Sequence, residues 1–349
     1  MVTRSRIPQA EGGAVAAGFH DLLVFGLPMH LGLGLPSIRY RLLVGIAMAS
    51  LWPLGLNVVL TWAGGGAVHT ASAWGWLALF CAGLMSILAS AALAWDRLLH
   101  HWPDICAMLR PSARADLETW FRRRYRLAPQ LVCGAAPALL GVSVLAVSTG
   151  PLRGQIEVNT VSYVTVGWVS FLGGLLIYVL VLFAGLAYEL ERSGPLCLDK
   201  WEPASTLGIQ ELSGAYVILL ILITASTGVA EFATTRVPGF YHAIAIRAFL
   251  VACPIVGAVL GVTVGILPQR VIYRIILRAK LQAAEVIDEE VGEIPSALKQ
   301  DLDKVNTLVA LRAKMMSTPN LPFRAPWLIP LVAGLLGPLV AFLLGQAKR

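Results

Sequence analysis

Charge is what this sequence has least of: 13% of its 349 residues are Asp, Glu, Lys or Arg, about half the ~25% usual in soluble domains. Hydrophobic residues make up 57% and mean hydropathy is +0.73, a balance that excludes an ordinary water-soluble domain. There are five cysteines, an odd number. Three of them, Cys81, Cys133 and Cys253, lie inside apolar runs where a thiol acts as a small hydrophobe, so no disulfide is expected. The chain lacks a G-x-x-x-x-G-K-[ST] phosphate loop, an H-E-x-x-H zinc helix and a G-x-S-x-G nucleophile elbow, and no enzyme is assigned. Asp21, His20 and His30 interrupt the first apolar stretch and no A-x-A-like site follows it, so a cleaved signal peptide is not expected.

What is present is a series of uncharged apolar segments, each long enough to cross the roughly 30 Å hydrocarbon core as a helix. The fold class this predicts is all-α: a polytopic integral membrane helical bundle of about seven transmembrane helices. The spans are Leu43 to Trp62, Trp74 to Trp95, Gln130 to Thr149, Tyr163 to Tyr188, Gly214 to Ala230, Ala248 to Leu267 and Trp327 to Leu344. Tryptophans bracket the second, as interfacial belts predict. Residues 1–42 are read as an N-terminal segment with an interfacial or re-entrant helix, because a crossing at Gly18 to Pro36 would bury Asp21 beside two histidines. Residues 43–267 form a six-span membrane domain with helical loops at 97–127 and 189–213. Residues 327–349 are the seventh span and a short tail.

Residues 268–326 are expected to form an amphipathic helical hairpin between spans six and seven. Pro268 should kink the chain as it leaves the lipid. Val271, Ile275, Ala279, Ala283 and Val286 then recur at helical spacing, Gly292 and Pro295 interrupt, and Leu298, Leu302, Val305, Val309, Arg312 and Met316 mark a returning helix. Such a stripe is too apolar to stand alone in water. It must be buried against the hairpin itself, another loop or a second subunit.

Of the 27 Lys and Arg, 22 fall in residues 1–42, 97–127, 189–213 and 268–326, and five on the other side. The positive-inside rule therefore puts the N-terminus and the hairpin in the cytosol and the C-terminus outside a cell membrane. An eighth crossing at 14–35 would leave 20 against 7, a weaker bias. The net charge of +7 is thus spent on orientation, and no nucleic-acid partner is implied. Arg122, Arg123, Arg124 and Arg126 stand directly before the third span, where each is expected to gain about 1 kcal/mol from anionic lipid.

The spans contain no Asp, Glu, Lys, Arg or His, which disfavours proton-coupled carriers, haem proteins and retinal proteins. The run His100-His101-x-x-Asp104-x-Cys106 has ligand-type residues, but Pro103 breaks its register and the spacing matches no standard site, so neither metal nor cofactor is assigned. Small residues are the remaining signal. Gly257, Gly261 and Gly265 in the sixth span, and Ala333, Gly337, Ala341 and Gly345 in the seventh, repeat every fourth position and permit close helix contact. These stripes fit packing within one chain, a homo-oligomer seam or a pore-lining surface. Pro53, Pro137, Pro254 and Pro338 free carbonyls inside spans, which can face a cavity or form hinges.

Seven spans, an inward N-terminus and a sixth helix extending into a cytosolic hairpin before a short seventh span form an order similar to that of insect odorant and gustatory receptors. That resemblance covers topology alone and implies a tetrameric ligand-gated cation channel. No residue motif carries it. Cys197-Leu198-Asp199-Lys200 with Leu207-Gly208, and Asn320-Leu321-Pro322-Phe323, resemble degenerate short motifs of multi-span bacterial proteins, without implying a function. Three readings result: an oligomeric channel or membrane sensor; a permease or exporter of an uncharged or lipophilic small molecule; and a scaffold that docks a cytosolic protein partner through its hairpin.

Overall fold

A computed structural model describes residues 38–63, 71–124, 126–152, 160–199, 201–235, 255–292 and 299–320. The N-terminal segment, the start of the sixth span, the hairpin turn and the seventh span with Ala333, Gly337, Ala341 and Gly345 lie outside them. Among the described residues helix is the only repetitive structure. The helices are α1 (Ile38–Trp62), α2 (Ala71–His100), α3 (Trp102–Ala107), α4 (Pro111–Arg124), α5 (Leu127–Leu152), α6 (Thr160–Arg192), α7 (Leu207–Thr235), α8 (Ile255–Gly292) and α9 (Lys299–Ser317). Leu42–Val59, Leu127–Val147, Tyr163–Arg192 and Ile255–Gly292 are four helices long and apolar enough to cross a membrane, and Leu207–Ile221 is a shorter apolar helix. By length and composition this is a membrane protein.

The prolines explain how the spans meet. Pro53 has no N–H, so the Ala49 carbonyl four residues earlier has no helical donor. The Trp168 indole of α6 donates to it at 2.8 Å, and Trp52 packs edge-on against the same ring at 5.7 Å. The freed group joins two helices. Pro137 likewise frees the carbonyl of Cys133, and Gly174 of α6 presses against it. A Cβ on Gly174 would fall onto the Cys133 oxygen and lie 2.9 Å from its carbonyl carbon and 3.0 Å from Gly134 Cα. Only glycine permits so close an approach of the two backbones. Gly134 and Gly141 on α5 face Phe171 and Ser170 of α6 just as closely, at 2.6 and 2.5 Å from an added Cβ.

Just before Pro268, where the kink is expected, the helix makes a π-helical turn, Val262–Ile266, after which α8 continues. The extra residue in that turn relieves the clash between the proline ring and the preceding backbone. Beyond it the buried face also departs from the expected stripe. It runs through Val271, Ile272, Ile275 and Ile276 and then rotates to Lys280, Ala284 and Ile287, leaving Val286 exposed. Ile272, Ile276, Lys280 and Ala284 recur at the same four-residue spacing as the expected stripe but one position further along, so the packing selects the neighbouring line of the helix.

The expected loop 97–127 consists of helices packed on the bundle. Ala113, Leu117 and Phe121 line the buried face of α4. Phe121 meets Trp102 at 5.1 Å, Trp120 at 4.9 Å and Trp95 at 6.4 Å, all edge-to-face, and Trp95 continues to Phe183 at 4.9 Å. Such pairs add roughly 0.5–1.5 kcal/mol each beyond area burial. They fix α3 and α4 against α2 and α6. The Tyr178 hydroxyl then donates to the Arg124 carbonyl at 2.5 Å, satisfying a free acceptor at the end of α4.

Candidate functional site: an ionic layer across the helix ends

Ion pairs and polar contacts join α2 to α7, α6 to α8 and α7 to α8 where α2 and α6 end, α7 begins and α8 leaves its apolar half. Arg97 Nε donates to Glu211 Oε2 at 2.7 Å, joining α2 to α7, and His101 Nε2 lies 3.6 Å from the same oxygen. His101 Nδ1 stands 3.1 Å from Asp104 Oδ2. The Arg97 hydrogen bond holds the Glu211 carboxyl below the usual carboxylate range against the opposing effect of burial. At the end of α6, Glu191 lies 2.9 Å from Arg274 Nη2 and 3.1 Å from Arg278 Nη2 of α8. Between α7 and α8, Ser213 Oγ donates to Gln269 Oε1 at 2.6 Å while Gln269 Nε2 donates to the Ser213 carbonyl at 2.9 Å. Each joint ties one apolar helix to another by polar groups at its end.

The layer continues outward to α9. Asp288 pairs with Arg312 at 2.9 Å and Glu290 with Lys304 at 3.2 Å, while Lys280 Nζ donates to the carbonyls of Thr318 and Pro319. Higher numbers on α8 meet lower numbers on α9, so the two run antiparallel. Lys280 is 1% exposed, and burial pushes its ammonium below the ordinary lysine value, partly offset by the nearby Glu202 carboxylate. The stripe expected to be buried on α9 is largely in solvent: Leu302, Val309 and Met316 are exposed, and Met315 is the buried methionine.

Gly257, Gly261 and Gly265 are all buried within this one chain, and Gly265 faces Leu220 of α7 at 2.8 Å from an added Cβ. Arg122, Arg123, Arg124 and Arg126 are exposed at the corner between α4 and α5, with the Arg124 guanidinium 4.7 Å from the centre of the Trp120 ring. The structure does not bring the arginines and the glycines together. His101 lies between Asp104 and Glu211 but Cys106 is buried apart in the core, and among the described residues no group of three His, Cys, Asp or Glu side chains is arranged to hold a metal ion.

Sequence reasoning missed Lys280 and the α5–α6 crossing. The crossing had a signal, since Gly134 and Gly141, and Gly167 and Gly174, are each seven apart, a spacing that puts small residues on one helix face. Lys280 had none: a lysine in an amphipathic helix reads as solvated. Comparison with protein-family models, with curated proteins and with solved structures finds no match to this chain.

Proposed function

We propose that this chain is an oligomeric channel or membrane sensor whose spans move against one another and whose cytosolic ionic layer registers that movement. The observation that carries this reading is the segregation of charge. The described parts of the spans contain no ionisable side chain other than tyrosine and cysteine, while ion pairs at their ends link α2 to α7, α6 to α8 and α8 to α9. A span that tilts changes a joint in the layer. Coupled proton transport, by contrast, needs a titrating group inside the membrane.

In this reading the charged layer faces the cytosol of a cell membrane, residues 268–326 form a cytosolic hairpin, and the arginine corner contacts anionic lipid beside α5, whose Leu131, Val132, Leu139 and Leu140 are exposed. Flux of small cations and of uncharged solutes into liposomes holding the purified protein tests it. Non-saturating cation flux supports a channel; saturable flux of an uncharged solute supports the permease; no flux in any condition removes both. The oligomer is tested by light scattering of the purified protein: a mass of more than one chain supports it, and the mass of one chain at every concentration removes it.

A second reading rests on a different observation. Leu302, Val309 and Met316 lie seven residues apart and exposed on α9, a spacing that keeps them on one face. They support a scaffold whose hairpin receives a cytosolic protein.

A further inference from the structure

α9 is held on α8 unevenly. Met315 is its one fully buried side chain among the described residues, and both ion pairs along its length are solvent-exposed, where such pairs contribute little. The buried polar contact is concentrated at its C-terminal end. There the Lys280 ammonium has left water and is compensated by the Thr318 and Pro319 carbonyls, groups at the negative end of the α9 dipole. Asn320 Oδ1 is a buried acceptor just beyond, with no partner among the described residues.

The opposing wall is the segment between α6 and α7, which is stiffened by its own hydrogen bonds. Asp199 Oδ1 accepts from the N–H groups of Trp201 at 2.8 Å and Glu202 at 3.1 Å, and Asp199 N–H donates to Thr206 Oγ1 at 3.0 Å. Cys197 N–H donates to the Met108 carbonyl at 2.8 Å, and Pro203 and Ala204 are buried. Glu202 on this segment is solvent-exposed, and its negative charge favours the Lys280 ammonium. The direct contacts of the buried ammonium come from Thr318 and Pro319, nearly forty residues further along the chain.

We infer that Lys280 is a conformational latch, holding the C-terminal end of α9 to α8, and that α9 is an arm which its release frees from the bundle. The contacts left after release are the exposed ion pairs and the half-buried side chains of one helix face. The inference does not depend on what the protein conveys across the membrane.

Hydrogen exchange measured by mass spectrometry on the full chain in detergent tests it. Lys280→Met keeps an unbranched stem and removes the ammonium. The expected result is at least a tenfold faster exchange of amides in 299–317, with no change in 172–187 of α6. Glu202→Gln, which removes only the countercharge on the rigid segment, should accelerate the same region to a lesser degree and serves alone if the first variant does not accumulate. Unchanged exchange of 299–317 in either variant overturns the latch. So does a rise shared equally by α6, which would make Lys280 a general core residue.

Discussion

Adjacent glycines on α6 should respond oppositely to the same methyl group. At Gly174 an added Cβ meets backbone: the Cys133 carbonyl oxygen, its carbon at 2.9 Å and Gly134 Cα at 3.0 Å. None of these can rotate away, so α5 and α6 must separate. Overpacking typically costs 1–3 kcal/mol, and a backbone neighbour argues for about 2–3 here. Replacing glycine by alanine in a helix returns about 0.8–1 kcal/mol of propensity, so Gly174→Ala should destabilise by roughly 1–2 kcal/mol. At Gly173 nothing lies within 4 Å of the added Cβ. Gly173→Ala should therefore be neutral or stabilising by up to about 1 kcal/mol. Denaturant titration of both variants in one detergent, followed by helical circular dichroism, reads the difference directly. Equal stability of the two variants, or Gly174→Ala matching wild type, would refute the close approach of α5 and α6.

Two other outcomes follow from the ionic layer and the arginine corner. The Glu211 carboxyl is held below its ordinary value of 4.5 chiefly by Arg97; its contribution is therefore complete above that value and is lost as pH falls through the lowered one. Acid titration of thermal stability should show this loss below about pH 4.5 in wild type and a flatter profile in Glu211→Gln. Replacing Arg122, Arg123, Arg124 and Arg126 with glutamine should weaken co-purification of anionic lipid and leave neutral lipid unchanged, and unaltered retention would reduce the corner to a solvated charge run.

Hydrophobicity and charge made the helical class and the approximate spans legible, because uncharged runs of this length have one stable form in lipid. Helices α1, α2, α5, α6 and α7 all extend past the predicted spans by several residues, since polar helix ends such as Arg97 and Glu211 pair instead of fraying. The packing was less legible. A proline in a span announces a freed carbonyl, but not that Trp168 will supply the donor or that Gly174 will close on it. The burial of Lys280 depends on carbonyls nearly forty residues away, and no local pattern encodes a partner at that separation. The face of α9 was predicted from alternating four- and three-residue steps, yet Met315 is buried and Met316 is not, because docking on α8 selects one side of a helix that is apolar on more than one.

The central claim is that the ionic layer lies in the cytosol beneath charge-free spans. Single cysteines at Ser112, on the exposed face of α4, and at Gly65 and Val237, in the connections at the opposite ends of the spans, test it in intact cells with a membrane-impermeant thiol reagent after the native cysteines are replaced by serine. The account predicts labelling at positions 65 and 237 from outside, and at position 112 only after permeabilisation. Labelling of position 112 in intact cells, with 65 and 237 protected, would contradict it.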